Sequence, residues 1–557
     1  MMTFEKVFDQ FIENSPVSVM LRGTLENVFA AEKIDNLFNE NALKQVTNEL
    51  LFSTCADIMA LVVAGTRRSV HAAYRAEQKH LSVSVQAVYD KLSGIEPVVS
   101  EALVRQTARD LAEVLEAVAS RESSPLPGYD VRIVDGNHLA GTEHRLLELR
   151  GLGAAALPGH TLPILNPHTE LIEDVLVCED GHANQRTMFD QLLEKVSRKQ
   201  CWIADSHFST KKMLFGIAGR KAYFLVRQHG ALQGELLGRR RKLGRTPTGV
   251  LYEQKMRITD TDDERMVRRL TIKLDKPTQK GEEEIHLLTN LPKKVKSKKV
   301  AEAYLSRWTI ETAFCKLATV LRSEINTLGY PDAALFGFCI SLVLYNALTV
   351  VLAALTVAHP LPEVEEDCEN TVKSPKYSYY YLSDELSGVW RGMEIAIAKP
   401  FWMEAFSALT PKQLAKKLLW LARRVEPEDF YTNPYRKKKT QRKKRKAEIE
   451  AIMYLVAVGK LAFRKNCSAF RRVEPQEMFG FGREYFVERA VAASSTEFSP
   501  LGRSSELASM ASIQNRERRY AADWPRRVVA AAQFGCSAAI NNLPNKNTLR
   551  PNTPKPI

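Results

Sequence analysis

The chain has 557 residues, too many for one compact core and enough for two to four domains at roughly 100–200 residues each. Its 79 Lys and Arg outweigh 65 Asp and Glu, and the net charge of +14 suits a polyanionic partner, either nucleic acid or an acidic membrane surface. Eight scattered cysteines without a Cys-x-x-Cys pair exclude a zinc ribbon or a disulfide framework and fit a reducing cytosol.

The first residues carry acids and lack the basic start and apolar core of a signal peptide, so no export is expected. Residues 1–125 read as a helical region, with helical apolar spacing over 42–63 and 98–118 and breaks at Pro97 and the Ser-Pro cluster at 123–127. Within it, 70–77 and 82–92 form two short crossing helices. These are either a DNA-reading motif or an ordinary helical hairpin.

From Asp130 the period changes to that of strands. VRIVDGNHL, TLPILNP and LIEDVLVCED predict three consecutive strands in a short meander. A helix near 184–196, the strand CWIAD (201–205), a helix from Thr210 and the strand KAYFLVRQ (221–228) follow. Residues 229–290 hold further strand-like runs, VLYEQKMRI, MVRRLTIKL and IHLLTNL, and are expected to be a β-rich insertion.

Helices resume after the basic linker 293–299, with one helix over 300–321. The uncharged run 333–361 is long enough to cross a bilayer. It has Tyr345 and Asn346 at its middle and no close Lys or Arg anchors, so a helix buried on all sides is the preferred reading. A helical C-terminal region (361–466) contains nine Lys and Arg in the eleven residues 436–446, a basic run suited to phosphate contact. Residues 467–557 read as a poorly ordered tail.

Three acids stand out. Asp135 ends one apolar strand (VRIVD) and Asp205 another (CWIAD). On neighbouring strands their carboxylates would repel, and a divalent cation relieves such repulsion. For either aspartate alone, a turn-starting role is the simpler explanation. Tyr304, Arg307 and Glu311 fall at i, i+3 and i+7, one helix face bordered by Trp308. On that face Glu311 can complete a metal-binding set while Tyr304 and Arg307 bind phosphates. A plain Arg307–Glu311 salt bridge is the alternative. His207 could orient a carboxylate or be merely an exposed polar residue. The remaining histidines lack zinc spacing. The glycines of 148–160 lack the Lys-Ser/Thr of a phosphate loop.

This strand order, with Asp135, Asp205, Tyr304, Arg307 and Glu311, resembles the DDE transposases of bacterial insertion sequences, specifically the fourth insertion-sequence family. The likeness spans roughly residues 20–430. It implies an α/β fold: a ribonuclease-H-like catalytic domain (126–360) interrupted by the β-rich insertion at 229–290, with a helical N-terminal DNA-binding domain before it and helices after it. It also implies Asp135, Asp205 and Glu311 as catalytic, metal-holding residues for Mg2+, with Mn2+ able to stand in. The activity implied is DNA strand cleavage and transfer. The implied partners are terminal inverted repeats and target DNA, bound by a homodimer joined through helices after 370, in the cytoplasm at the nucleoid and not in a membrane. Where the family signature has a lysine seven residues after its glutamate, this chain has Ala318. Lys316 is off the face. Arg322 returns to it about 16 Å along the axis, able to reach a more distant phosphate. The missing lysine leaves a catalytically decayed, DNA-binding relic as the alternative.

Overall fold

Pro16 and Pro97, each at the first turn of a helix, preset its entry, and Ser69 and Ser84 cap two more by accepting the N–H groups of Ala72 and Ala87 at 3.2 Å. In the computed structural model these helices belong to a set of seven, α1 (Met2–Asn14), α2 (Pro16–Val28), α3 (Ala31–Asn41), α4 (Phe52–Val63), α5 (Val70–Glu77), α6 (Val85–Ser93) and α7 (Pro97–Val118). The structure describes residues 2–432 apart from 48, 120–123, 140–159, 179–183, 262, 279–280, 326–330 and 362–375. Most of 148–160, the basic run 436–446 and the tail 467–557 lie outside the described residues.

The helical spacing read from 42 onward becomes a helix only at Phe52. Before it, the Leu43 and Lys44 N–H groups are held by the Glu96 carboxylate at 2.9 and 3.0 Å, and Leu43 and Val46 face solvent. A buried acid outside the segment thus satisfies backbone donors that a helix would otherwise use.

Ten strands follow the helices and pair into one mixed sheet. They are β1 (Asp130–Val134), β2 (Asn137–His138), β3 (His160–Asn166), β4 (Leu171–Cys178), β5 (Gln200–Ala204), β6 (Tyr223–Arg227), β7 (Glu235–Thr246), β8 (Gly249–Asp260), β9 (Asp263–Leu274) and β10 (Glu284–Thr289). The main order is β4-β3-β1-β5-β6-β10-β9-β8-β7, with β2 a short second partner of β3. β1, β5 and β6 run parallel, and every other pairing is antiparallel. The expected meander is β1, β3 and β4. Its first member stops at Val134, however, because Asp135-Gly136 breaks the ladder before β2.

The central strands are apolar on both faces, as buried parallel strands must be. One face packs Trp202, Phe224 and Leu288 with α8 (Phe189–Glu194) and α9 (Lys211–Gly219). The other joins Ile133, Ile203 and Leu225 to the core of the N-terminal helices, so the helix-to-strand change near 125 is not a break in packing.

The insertion strands extend this same sheet beyond β6. β8, β9 and β10 fall where the alternation placed them. β7 does not show in the hydropathy: its Arg-rich residues are almost all exposed, because it is the outermost strand and buries no apolar face.

The helix expected over 300–321 is two helices, α10 (Ser297–Leu305) and α11 (Trp308–Val320). Between them the chain tightens. The N–H groups of Ser306, Arg307, Thr309 and Ile310 reach back only three residues, at 3.0–3.2 Å, and the Ser306 hydroxyl donates to the Ala303 carbonyl at 2.6 Å.

The uncharged run forms α12 (Pro331–Ala358), which packs against α4, α7 and β4. It is apolar all round because it is buried all round. Asn346 at its middle is fully buried and explains its own presence. Its Nδ2 donates to the Ile172 carbonyl and its Oδ1 accepts the Ile172 N–H, both at 2.9 Å, which pairs the free edge of β4. The helices α13 (Tyr379–Ala396) and α14 (Pro411–Ala422) follow, the latter started by a Thr410–Gln413 capping box.

Candidate active site

β1 and β5 are parallel neighbours in the register Ile133 to Ile203. Their carboxyl ends therefore lie side by side, and alternation puts Asp135 and Asp205, two residues further on, on one face of the sheet. Each is held by its own exit turn. Asp135 Oδ1 accepts the Gly136 N–H at 2.9 Å, and Asp205 Oδ1 accepts the His207 N–H at 2.8 Å. The side chain of His207 is exposed. Burial, and then the Asp205 carboxylate, push the Asp135 carboxyl up to about 7 against the pull of Arg307.

The third acid arrives on a helix. Glu311 lies in the first turn of α11, where acid is favoured by the helix dipole, and its Oε1 is 2.6 Å from Arg307 Nη1. The same Nη1 donates to Asp135 Oδ2 at 3.1 Å. Arg307 is only 13% exposed and Glu311 48%, so one guanidinium links a half-buried aspartate to an open glutamate. The helical salt bridge read as an alternative is present, and it is one half of this larger link.

Tyr304, at the end of α10, lies with its ring centroid 5.9 Å from the Arg307 guanidinium. Its hydroxyl is pushed up to about 12, chiefly by burial, with Asp205 adding and Arg307 opposing. Tyr304 is neutral and able to donate. Trp308 is 54% exposed at the start of α11.

The remaining predicted position, Arg322, stands apart. Arg322 is not on the stripe of Tyr304, because the turn at Ser306–Arg307 and the end of α11 at Val320 both interrupt it. Its backbone N–H instead donates to Val63 and its guanidinium to the Arg67 carbonyl at 3.2 Å. Lys316 turns inward, with Nζ 3.6 Å from the centroid of the Tyr379 ring, and burial lowers its pKa. Ala318 is exposed.

One residue was missed from sequence. Arg227 closes β6 one position beyond the pair Ala204–Val226, so it continues the row Asp135, Asp205 across the sheet. Its signal was a cation ending an apolar strand, visible only once the register was known.

Among the described residues no three His, Cys, Asp or Glu side chains converge closely enough to enclose a metal ion. The donor chemistry at Asp135 and Asp205 nonetheless fits a hard cation. Two carboxylates share a partly buried spot, and burial, then the neighbouring Asp205 charge, raises Asp135.

The fold and site define a mixed α/β domain with acids gathered at the carboxyl ends of its parallel strands. Residues 127–347 match the family model described as a transposase DDE domain. The matched stretch runs from just before β1 into α12 and contains Asp135, Asp205, the insertion, Tyr304, Arg307 and Glu311, and it supports a transposase with DNA as its partner. No curated protein matches the chain.

Proposed function

We propose that this chain is the DNA transposase of an insertion sequence of the fourth family, which binds the inverted ends of its element and carries out strand cleavage and strand transfer. The observation that carries the reading is that Arg307 bridges Asp135 and Glu311, with Asp205 at the end of the strand next to that of Asp135, inside the matched domain. The strand order β4-β3-β1-β5-β6, an antiparallel meander followed by two parallel strands, supports a ribonuclease-H-like layout, with β7 to β10 as the insertion between the second aspartate and the glutamate.

Asp135 and Asp205 would hold Mg2+ or Mn2+, with Glu311 completing the set. When bound, the metal supplies activation of water or a 3′-hydroxyl and stabilisation of the leaving oxygen in an in-line displacement. The chain's own residues do the rest. Tyr304 donates a hydrogen bond to a phosphate oxygen and Arg307 neutralises one, which orients the scissile strand against the two aspartates. Arg322 would meet only a more distant phosphate. Two ends must be held together, which calls for a homodimer, acting at the nucleoid in the cytoplasm.

The test is incubation of the full chain with linear DNA that carries the ends flanking its coding region, in Mg2+ or Mn2+. End-specific nicking that is lost in Asp135→Ala and Glu311→Ala is the expected result. Full cleavage by either variant would sink the assignment.

A further inference from the structure

Beyond Arg227 the sheet continues through the insertion, and its two faces differ. On one, Leu251, Leu270 and Leu287 join the main core. The other is polar at the end of the sheet nearest Asp135 and Asp205. The cross-strand series His286–Thr271–Tyr252–Lys242 and the pair Glu284–Lys273 put these side chains on that face, and Arg269 shares it by alternation. Arg240 lies over it too, with its guanidinium 4.1 Å from the Tyr252 ring centroid and 2.8 and 3.2 Å from the two Glu284 oxygens.

Four cations, Arg240, Lys242, Arg269 and Lys273, thus face one carboxylate, Glu284, which Arg240 already binds in bidentate fashion. Among the described residues neither Lys242 nor Lys273 has an ion-pair partner. Arg269 spends its Nε on Gln228 at 2.7 Å, which leaves both terminal nitrogens to give. The positive field registers on His286, lowered to about 4 by burial and then by Arg269 and Arg240 against Glu284. Repulsion of foreign strands explains basic residues on the outermost strand β7. It does not explain Arg269 and Lys273, which lie on the interior strand β9.

We propose that this face of the insertion is a contact surface for the sugar-phosphate backbone of duplex DNA, engaging the helix that flanks the strand held at Asp135 and Asp205. It rests on the reading of the chain as a transposase for its choice of DNA as occupant. The charge complements a phosphate track. Tyr252 supplies a neutral donor between the cations, and none of these groups needs to read a base. β10 runs antiparallel to β6 and pairs Leu287 with Arg227, so Glu284 and the cations beside it lie at the sheet end where the two aspartates emerge. A duplex crossing that end meets the acids on one face and these cations on the other.

The experiment is a salt titration of duplex binding by fluorescence anisotropy, using the full chain and a labelled element end. The variants are Lys242→Ala/Lys273→Ala and the triple variant with Arg269→Ala. The two lysines are exposed and their removal breaks no bond within the fold, so the double variant guards against a folding defect in the triple one. The slope of log affinity against log salt should become shallower by about one for each cation removed, and binding should weaken about equally for end and unrelated duplexes. An unchanged slope in a double variant that still binds and nicks end DNA overturns the surface and leaves the transposase reading standing. A wild-type chain that binds no duplex overturns both.

Discussion

Arg307 donates to Asp135 across 172 positions of sequence, at 3.1 Å, from the tight turn that separates α10 from α11. The backbone bonds at 306–310 reach back only three residues there, and Arg307 keeps the Tyr304 ring beside it, 5.9 Å from its guanidinium. Replacing Arg307 by Ala is expected to lower the cleavage rate by about 10²-fold or more, since it removes a fixed positive charge beside the reacting phosphate. Lys should recover only part, because its flexible, compact ammonium keeps the charge but not the rigid guanidinium placement that sets one nitrogen between the two carboxylates. Single-turnover cleavage of end DNA, with binding followed separately, checks this; an Arg307→Ala chain cleaving at the wild-type rate refutes it.

Asp135 has its carboxyl raised to about 7 in the folded chain, above the ordinary 3.8, with burial and Asp205 as the main causes. The folded state therefore binds more protons than the unfolded state between those two values, and stability falls as pH rises. The contribution is fully present below pH 3.8 and is lost as pH passes about 7. In EDTA, the difference in melting temperature between wild type and Asp135→Asn should widen in favour of the variant from pH 5 to pH 8. A difference that stays flat over that range contradicts the assignment.

Asn346 makes a two-bond clamp on the backbone of Ile172 from inside an otherwise apolar helix. Asn346→Leu makes α12 more apolar yet strands a buried N–H and a buried carbonyl at the edge of β4. The expected cost is about 2–4 kcal/mol in denaturant unfolding. A more stable Asn346→Leu chain would show that hydropathy, and not the bond pair, governs this position.

The strands that carry the two aspartates were legible because they are short, apolar and ended by acids, and the insertion strands β8 to β10 because their alternation survives. β7 was not legible, since an exposed edge strand has no apolar face to alternate. Nor was the break at Ser306. Helix propensity and apolar spacing run straight through it, and nothing local marks where the bonds shorten. Arg227 was invisible for a third reason: its place beside Asp205 is a matter of register between strands more than twenty positions apart, which no local pattern encodes.

Arg268 on β9 ties the insertion to the start of α10, the helix that leads to Tyr304. It is 8% exposed. Its Nε bonds Glu253 at 3.0 Å, Nη1 reaches the carbonyls of Leu291, Pro292 and Val295 at 3.0–3.3 Å, and Nη2 donates to the Ser297 hydroxyl at 2.8 Å. Ser297 in turn donates to Glu253 at 2.6 Å. Removing one partner of such a pair leaves the other charge buried, and Arg268→Ala is expected to destabilise the chain by about 3–5 kcal/mol. Adding Glu253→Gln should restore part of that loss, because the stranded carboxylate is then gone, whereas the three carbonyls stay unpaired in both variants. A double-mutant cycle in denaturant measures the coupling. If the two losses simply add, Arg268 acts through the carbonyls at the head of α10 and not through Glu253, and the ion pair is dispensable to the way the insertion is anchored.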